Sequence, residues 1–266
     1  MDSNIIPFWQ VDAFAETLFT GNPAGVCILD AWPDDSLMQS IAFENNLAET
    51  AFVVPRGDGY GLRWFTPAVE VDLCGHATLA SAFVLFDRKK IPGDEVVFHS
   101  PRSGILKVRR EGEMLFLDFP ADTTTRMEIP GGIMEAIGVQ PLEMYRGKTD
   151  FMAVLRSEAE VLAVKPGFQA IAALGGRGLI ITSPGEHCDF VSRFFAPQSG
   201  VDEDPVTGSA HTTLTPFWAG RLGKEVLTAR QISKRGGTLH CRNVPPRVII
   251  GGKGRLYLEG GLVLGQ

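Results

Sequence analysis

The sequence predicts an α+β fold with two pseudo-symmetric lobes, each a curved β-sheet or barrel wrapped around a central helix. Two observations support this prediction. Thirty glycines and seventeen prolines separate many short runs of Val, Ile, Leu and Phe, a composition typical of numerous strands and turns. The chain also contains an internal repeat, and each of its two copies would supply one lobe.

The repeat is clearest in two stretches, RWFTPAVEVDLCGHATL from Arg63 and RFFAPQSGVDEDPVTGSAHTTL from Arg193. At an offset of 130 residues, five positions of the first stretch are identical in the second: Arg63, Phe65, Pro67, Val71 and Asp72. Three extra residues then enter the second copy, and Gly75 matches Gly208 at an offset of 133. The matches occur in the same order in both copies, which indicates two equivalent halves.

The offset of 133 continues further along the chain, where SPRSGIL from Ser100 matches SKRGGTL from Ser233. Two matches at one register are difficult to attribute to chance. We therefore predict an N-terminal lobe at residues 1–120 and a C-terminal lobe at residues 121–266, with chain ends that can cross between the lobes.

Within each half the pattern predicts strands, a glycine turn, a helix and further strands. A helix is predicted for DDSLMQSIAFENN, between the strand-like runs AGVCILD and TAFVVP, because an Asp can cap its start and its apolar residues share one face. A second helix, GHATLASAFVLFD, is apolar nearly all round, as expected inside a curved sheet. Its counterpart is SAHTTLTPFWAGRLG, in which Pro216 should kink or shorten the helix.

Composition restricts the class of protein. The formal net charge of −6 argues against a nucleic-acid or anionic-membrane partner, and no apolar run approaches the roughly 20 residues of a membrane helix. The first residues lack the basic and apolar segments of a signal peptide. The four scattered cysteines favour reduced thiols over a disulfide framework: Cys27, Cys74, Cys188 and Cys241. We expect a soluble cytoplasmic protein.

The repeated glycine turns predict a binding site for a small anionic substrate. If Gly75 and Gly208 each begin a helix, both turns present free backbone N–H groups and the positive end of a helix dipole. Such a helix start binds a carboxylate or phosphate without a lysine. Two of them facing each other would hold a small anion between the lobes.

The side chains around the first turn allow several interpretations. A metal site is disfavoured, because Asp72, Cys74 and His76 alternate along one backbone and no other His or Cys pair has matching spacing. Cys74 with His76 as its base is possible, but residues at this spacing rarely face each other, and a buried apolar role for Cys74 is preferred. His76 is either a structural residue at a helix start or a proton donor and acceptor beside the anion.

The second turn is equally open from its residues alone. Asp204, Thr207 and Ser209 can be simple helix caps or substrate contacts. We expect no nucleotide cofactor, because the glycine-rich runs GGRG and GGKG lack the strand and helix of a dinucleotide motif and no GxxxxGK[ST] is present.

Four separated blocks together resemble the phenazine biosynthesis PhzF-like family of the diaminopimelate epimerase-like superfamily: FTGNPAGVCIL, MQSIAFENNLAETAFVV, LRWFTPAVEVDLCGHATLASA and DEDPVTGSAHTTL. The resemblance covers essentially the whole chain. It implies two similar lobes with the site between them, and a cofactor-independent isomerase that moves a proton between ring carbons of a dihydro-hydroxyanthranilate-like substrate. It also implies a homodimer.

By motif match, the resemblance implies that Glu49 in NNLAETAF is the general base and that His76 and Asp204 are its catalytic partners. The same match implies that the substrate carboxylate is held at the two glycine turns, by residues drawn from a small set: Gly75, Ala77, Thr207, Gly208 and Ser209. No metal is implied.

One departure from the superfamily decides between reaction types. The epimerase branch uses one cysteine from each lobe as opposed acid and base. Cys74 stands at the first of these positions, whereas Thr207 stands at the second. A two-thiol mechanism is therefore disfavoured, and a proton-transferring isomerase is the first hypothesis. An epimerase or racemase is the alternative, and a non-catalytic binding or scaffold protein is a third.

Overall fold

The computed structural model describes residues 5–265 and confirms the predicted α+β fold class. The chain forms two compact units. The first unit runs through Asp118 and resumes at Gly251, and the second unit is Phe119–Ile250. The predicted boundary between residues 120 and 121 lies two residues beyond the observed one. The last strand of the chain belongs to the first unit, because it pairs with the first strand.

The first part of the chain contains eight strands and two helices: β1 (Ile5–Ala13), β2 (Asn22–Ile28), α1 (Asp35–Asn45), β3 (Glu49–Arg56), β4 (Gly59–Phe65), β5 (Glu70–Val71), α2 (Gly75–Phe83), β6 (Glu95–Ser100), β7 (Gly104–Glu111) and β8 (Met114–Pro120). A short π-helical segment, Val84–Arg88, extends α2. Helix α1 occupies the predicted segment and buries three apolar residues of one face: Met38, Ile41 and Ala42.

The remaining chain adds four helices and ten strands: β9 (Thr125–Met127), α3 (Ile133–Ile137), β10 (Glu143–Arg146), β11 (Phe151–Val154), α4 (Glu158–Ala163), α5 (Phe168–Ala173), β12 (Leu179–Pro184), β13 (Phe190–Ala196), β14 (Val201–Asp204), α6 (Gly208–Leu222), β15 (Val226–Gln231), β16 (Gly237–Val244), β17 (Arg247–Gly252) and β18 (Gly254–Val263). A 3₁₀ turn, Pro197–Ser199, precedes β14.

The sheet of the first unit surrounds helix α2. Strand β2 pairs parallel with β3, β3 antiparallel with β4, β4 parallel with β6, and β6 antiparallel with β7. Strand β1 pairs antiparallel with both β2 and β18. Helix α2 packs against β1, β2, β3 and β18, and every residue from His76 to Ala82 is buried. This burial is what its apolar sequence predicts.

The second unit repeats the same order of pairings. Strand β11 pairs parallel with β12, β12 antiparallel with β13, β13 parallel with β15, and β15 antiparallel with β16. Helix α6 lies at the same place in the sequence of elements as α2 and packs against β15 and β16. The internal repeat in the sequence is therefore a repeat of strand topology.

An ion pair recurs at equivalent positions of the two units. Arg63 Nε and Nη2 donate to Glu70 at 2.7 and 2.9 Å, and the same atoms of Arg193 donate to Glu203 at 2.7 and 3.0 Å. Each guanidinium also lies over an aromatic ring two residues further along its strand. Each glutamate stands five residues before the glycine that begins the central helix.

The ion pairs correct the predicted alignment of the two halves of the sequence. Glu70 and Glu203 are 133 residues apart, so the three extra residues precede Glu203, near the 3₁₀ turn, rather than following Asp202. The pairings of β5 and β14 agree, since Trp64 lies opposite Val71 and Phe194 opposite Asp204. The identity of Val71 and Asp72 with Val201 and Asp202 is therefore not a structural equivalence.

Pro216 was predicted to kink or shorten α6, and the helix continues through it to Leu222, so it is not shortened. Proline has no N–H, so the carbonyl of Thr212 loses its helical partner. That carbonyl instead accepts the backbone N–H of Asp122 at 3.1 Å. No helix within residues 5–265 combines the length and apolar character needed to cross a membrane.

Candidate functional site

The candidate site of the first unit centres on His76, the second residue of α2. Its Nε2 atom lies 3.1 Å from Oε2 of Glu49, the first residue of β3. The His76 side chain is 6% exposed and that of Glu49 is 17% exposed. Among the described residues, Nε2 has no partner in full hydrogen-bond geometry. A buried imidazole nitrogen thus lies beside a carboxylate and keeps hydrogen-bonding capacity for a ligand.

The opposite nitrogen of the same ring is fixed from two sides. Nδ1 of His76 lies 3.3 Å from Nδ2 of Asn22, at the start of β2, and 3.4 Å from Sγ of Cys74. Cys74 is buried, as predicted, but the expectation that it would not face His76 is wrong. Cys74 has extended backbone angles just before the helix, which let its side chain turn toward the ring.

The charges of this cluster follow from burial and proximity. Burial alone would lower the pKa of His76, but Cys74 and Glu49 together raise it by more than burial lowers it. The pKa of His76 therefore lies well above 6.5. Burial, aided by the Glu49 carboxylate, raises the pKa of the Cys74 thiol to about 11. At neutral pH the thiol is therefore protonated, and Glu49 is the neighbour that stabilises an imidazolium at His76.

The geometry of this cluster does not suit a metal ion. One ligand atom from each of Glu49, Cys74 and His76 lies within 4.8 Å of the others. However, the sulfur faces Nδ1 and the carboxylate faces Nε2, whereas a metal ion would need a single imidazole nitrogen close to both. The arrangement suits proton transfer along the ring better than metal coordination.

The candidate residues of the second unit lie around the start of α6. Thr207 precedes the helix and donates its hydroxyl to Oδ2 of Asp204, the last residue of β14. The buried side chain of Gln231, at the end of β15, accepts the N–H of Thr207 at 2.9 Å. Its Nε2 donates to the Asp204 carbonyl at 2.7 Å and to the Thr207 hydroxyl at 3.1 Å. The position of the Asp204 carboxylate is thereby fixed.

Both helix starts have the predicted form. Helix α2 begins at Gly75 after Cys74, and helix α6 begins at Gly208 after Thr207. The first backbone N–H groups of a helix have no partner within it, so both turns can receive an anion. In α2, the methyl group of Ala77 is fully buried.

The predicted site residues thus fall into two groups, one in each unit. The first group is Glu49, Gly75, His76 and Ala77, and the second is Asp204, Thr207, Gly208 and Ser209. Sequence reasoning missed Asn22 and Gln231. Each is an amide far along the chain from the residue it contacts, and the sequence carries no spacing signal for such a pair.

Comparison with known proteins identifies relatives of the whole chain. The pattern of the phenazine biosynthesis-like protein family matches residues 11–260. Two uncharacterized isomerases of Pseudomonas aeruginosa are 51% and 52% identical over 259 and 255 residues, which are 97% and 96% of this chain and 99% and 97% of theirs. A human phenazine biosynthesis-like domain-containing protein is 41% identical over 97% of this chain and 99% of its own.

Solved structures agree with this relationship. The fold matches a phenazine biosynthesis protein of the PhzF family from Enterococcus faecalis with a TM-score of 0.95 and 47% identity, over 98% of this chain and 100% of that one. A probable proline racemase from Agrobacterium radiobacter matches with a TM-score of 0.64 over 98% and 93% of the two chains. Its identity is only 12%, so this likeness shows the fold alone.

Proposed function

Because the chain belongs to the phenazine biosynthesis-like protein family, we propose that it is a cofactor-independent isomerase that moves a proton on a small carboxylate substrate. The substrate is amino acid-like, and a dihydro-hydroxyanthranilate is the first compound to test. Glu49 is the general base, and His76 and Asp204 are its partners.

The observation that carries the proposal is the contact between Glu49 and His76. A carboxylate that accepts a proton from a substrate carbon must be held in place and partly shielded from water. Glu49 meets both conditions, since its side chain is 17% exposed and lies 3.1 Å from the imidazole. Nε2 of His76 has no fully formed hydrogen bond among the described residues, so its N–H can stabilise charge that develops on the substrate.

The reaction we propose is balanced without a co-reactant. One C–H bond of the substrate breaks, and its proton passes to Glu49. The electron pair shifts along the conjugated substrate, and a proton is returned to a different carbon, so that substrate and product are isomers. The helix starts at Gly75 and Gly208 would hold the carboxylate, and Asp204 would bind the amine.

Proton NMR in deuterated water tests this proposal, with trans-2,3-dihydro-3-hydroxyanthranilate as the substrate. We expect conversion with incorporation of deuterium at the new C–H position by the wild-type protein, and loss of both in Glu49→Gln. Conversion that persists in Glu49→Gln would refute the role of Glu49. If the wild-type protein leaves the compound unchanged, the proposed substrate is wrong.

An epimerase is the second candidate, and one observation favours it. The Cys74 thiol lies 3.4 Å from Nδ1 of His76, close enough to exchange a proton with the ring. Thr207 at the equivalent position of the second unit donates its hydroxyl to Asp204 and offers no second thiol. An epimerase that depends on Cys74 should lose activity in Cys74→Ser and retain it in Glu49→Gln.

We further propose that the protein is a cytoplasmic homodimer with no nucleic-acid or membrane partner, as the sequence and the family resemblance indicate. All four cysteines are free thiols, as a reducing compartment would keep them. Light scattering after size-exclusion chromatography should give twice the chain mass of 28.9 kDa. A mass of one chain would refute the dimer.

A further inference from the structure

The glycine-rich run Gly175–Gly178, which is not a nucleotide motif, has a shape that only glycine allows at three of its positions. Gly175 and Gly176 have φ angles of +79° and +72°, which favour glycine. A Cβ atom at Gly178 would lie 2.5 Å from the ring of Phe194. The one residue of the run with a side chain is Arg177. The turn therefore serves to place this arginine.

Arg177 is held in one position by a buried acid and a ring. Its Nε donates to Oδ1 of Asp150 at 2.9 Å, and Nη2 donates to Oδ2 of the same carboxylate. Asp150 is 2% exposed, and the guanidinium lies 5.1 Å from the centroid of the Phe194 ring. A planar guanidinium in a two-point contact with a carboxylate has a defined orientation, which a lysine ammonium would lack.

The remaining terminal nitrogen of this guanidinium reaches the candidate site. Nη1 donates to Oγ of Ser209 at 2.8 Å, in the first turn of α6. Arginine has no acceptor, so Ser209 must accept this hydrogen bond. The single hydroxyl hydrogen of Ser209 is then directed away from Arg177. It can donate to a ligand at the start of the helix.

We infer that Arg177 is a positioning residue that makes the α6 helix start selective for a carboxylate, because it fixes Ser209 as a hydrogen-bond donor. A carboxylate can only accept hydrogen bonds, whereas a carboxamide presents N–H groups of its own. The inference rests on the proposed function, since it concerns the substrate-binding end of the same reaction.

Calorimetric titration with anthranilate and with its neutral counterpart 2-aminobenzamide tests the inference without turnover. We expect wild-type protein to bind anthranilate at least about tenfold more tightly than the amide, as a charge-assisted hydrogen bond would produce. Arg177→Met should lose most of this preference. Ser209→Ala should lose it to the same extent, and the double variant should be no worse than either single one.

Two further variants control for folding and for surface charge. Arg110→Met removes another arginine that stacks on a ring, that of Phe86, and should keep the full preference. Arg177→Lys keeps the charge but cannot form the two-point contact, and we expect it to recover less than half of the preference. If Arg177→Met fails to fold, the comparison of Arg177→Lys with Arg110→Met decides the question.

The possible outcomes separate this inference from the proposed reaction. Equal loss of anthranilate and amide binding in Arg177→Met would make Arg177 merely structural and would overturn the inference. Additive losses in the double variant, or no preference for anthranilate in wild-type protein, would also overturn it. Preference in the wild-type protein without deuterium exchange would refute the proposed reaction and leave the role of Arg177 intact.

Discussion

Nε2 of His76 lies 3.1 Å from Oε2 of Glu49, where the central helix of the first unit meets strand β3. The contact joins a base to an acid inside the protein, so each influences the charge of the other. Since the pKa of His76 lies well above its ordinary 6.5, the folded protein binds a proton at this ring more tightly than the unfolded chain does.

The first prediction concerns stability above neutral pH. A raised folded-state pKa of His76 stabilises the fold fully below about pH 6.5, and this stabilisation is lost as pH rises through the folded pKa. Urea unfolding of the wild-type protein should therefore give a falling free energy of unfolding above pH 6.5. His76→Asn should lack this contribution to the slope. Identical slopes for the two proteins would contradict the prediction.

The second prediction concerns the acid side, where a different histidine acts in the opposite sense. Burial lowers the pKa of His211, in helix α6, to about 4, although its Nδ1 contacts the Thr207 carbonyl at 2.8 Å. The neutral ring stabilises the fold above pH 6.5, and this stabilisation is lost as pH falls toward 4. The loss should amount to about 3 kcal/mol. His211→Asn should reduce the dependence on pH between 6.5 and 4, as measured by urea unfolding.

The third prediction separates the thiol from the carboxylate in catalysis. Removal of a general base typically costs a factor of about 10² to 10⁴. We expect Glu49→Gln to lower kcat by that amount and Cys74→Ser to lower it by less than about tenfold. Cys188→Ser, the same chemical change away from the candidate site, is the matched control and should leave kcat unchanged. A larger effect in Cys74→Ser than in Glu49→Gln would support the epimerase alternative.

The fourth prediction concerns thiol reactivity. Burial raises the pKa of Cys27 and of Cys241 to about 12 and is the main cause that raises the pKa of Cys74 to about 11, whereas Cys188 is only partly buried. Because the thiolate is the reactive form, iodoacetamide at pH 8 should label native protein slowly, and first at Cys188. Peptide mass spectrometry would locate the label. Early labelling of Cys74 would show that its thiol is more acidic than its burial implies.

Much of the fold could be predicted from the sequence because the repeat consists of apolar runs and glycine turns. Secondary structure can be predicted from such features without knowledge of the tertiary contacts. Both helix starts were predicted at Gly75 and Gly208, and both are observed. The register before the second helix was misjudged for a physical reason. The identical dipeptides Val71-Asp72 and Val201-Asp202 were aligned with each other. In the structure, Glu70 and Glu203 are the equivalent residues, because each pairs with the matching arginine of its own unit.

The site was predicted less completely than the fold. Glu49 could be chosen only through family resemblance, since a glutamate at a strand end is usually a surface charge. Asn22 and Gln231 could not be chosen at all, because their partners are 54 and 27 residues away and only the tertiary fold brings them together. Pro216 was expected to kink or shorten its helix, and the replacement partner of Thr212, the Asp122 N–H, is likewise distant in sequence.

The recurring ion pairs, Arg63 with Glu70 and Arg193 with Glu203, have a consequence for how this chain could have evolved. They are the pattern that duplication of one segment would leave in a chain. In an assembly of separate identical segments, every mutation would alter both helix starts at once. Two copies joined in one chain are free of that constraint, so one can carry His76 while the other carries Ser209 at the matching place. The two helix starts can therefore carry different chemical groups because both halves belong to one covalent chain.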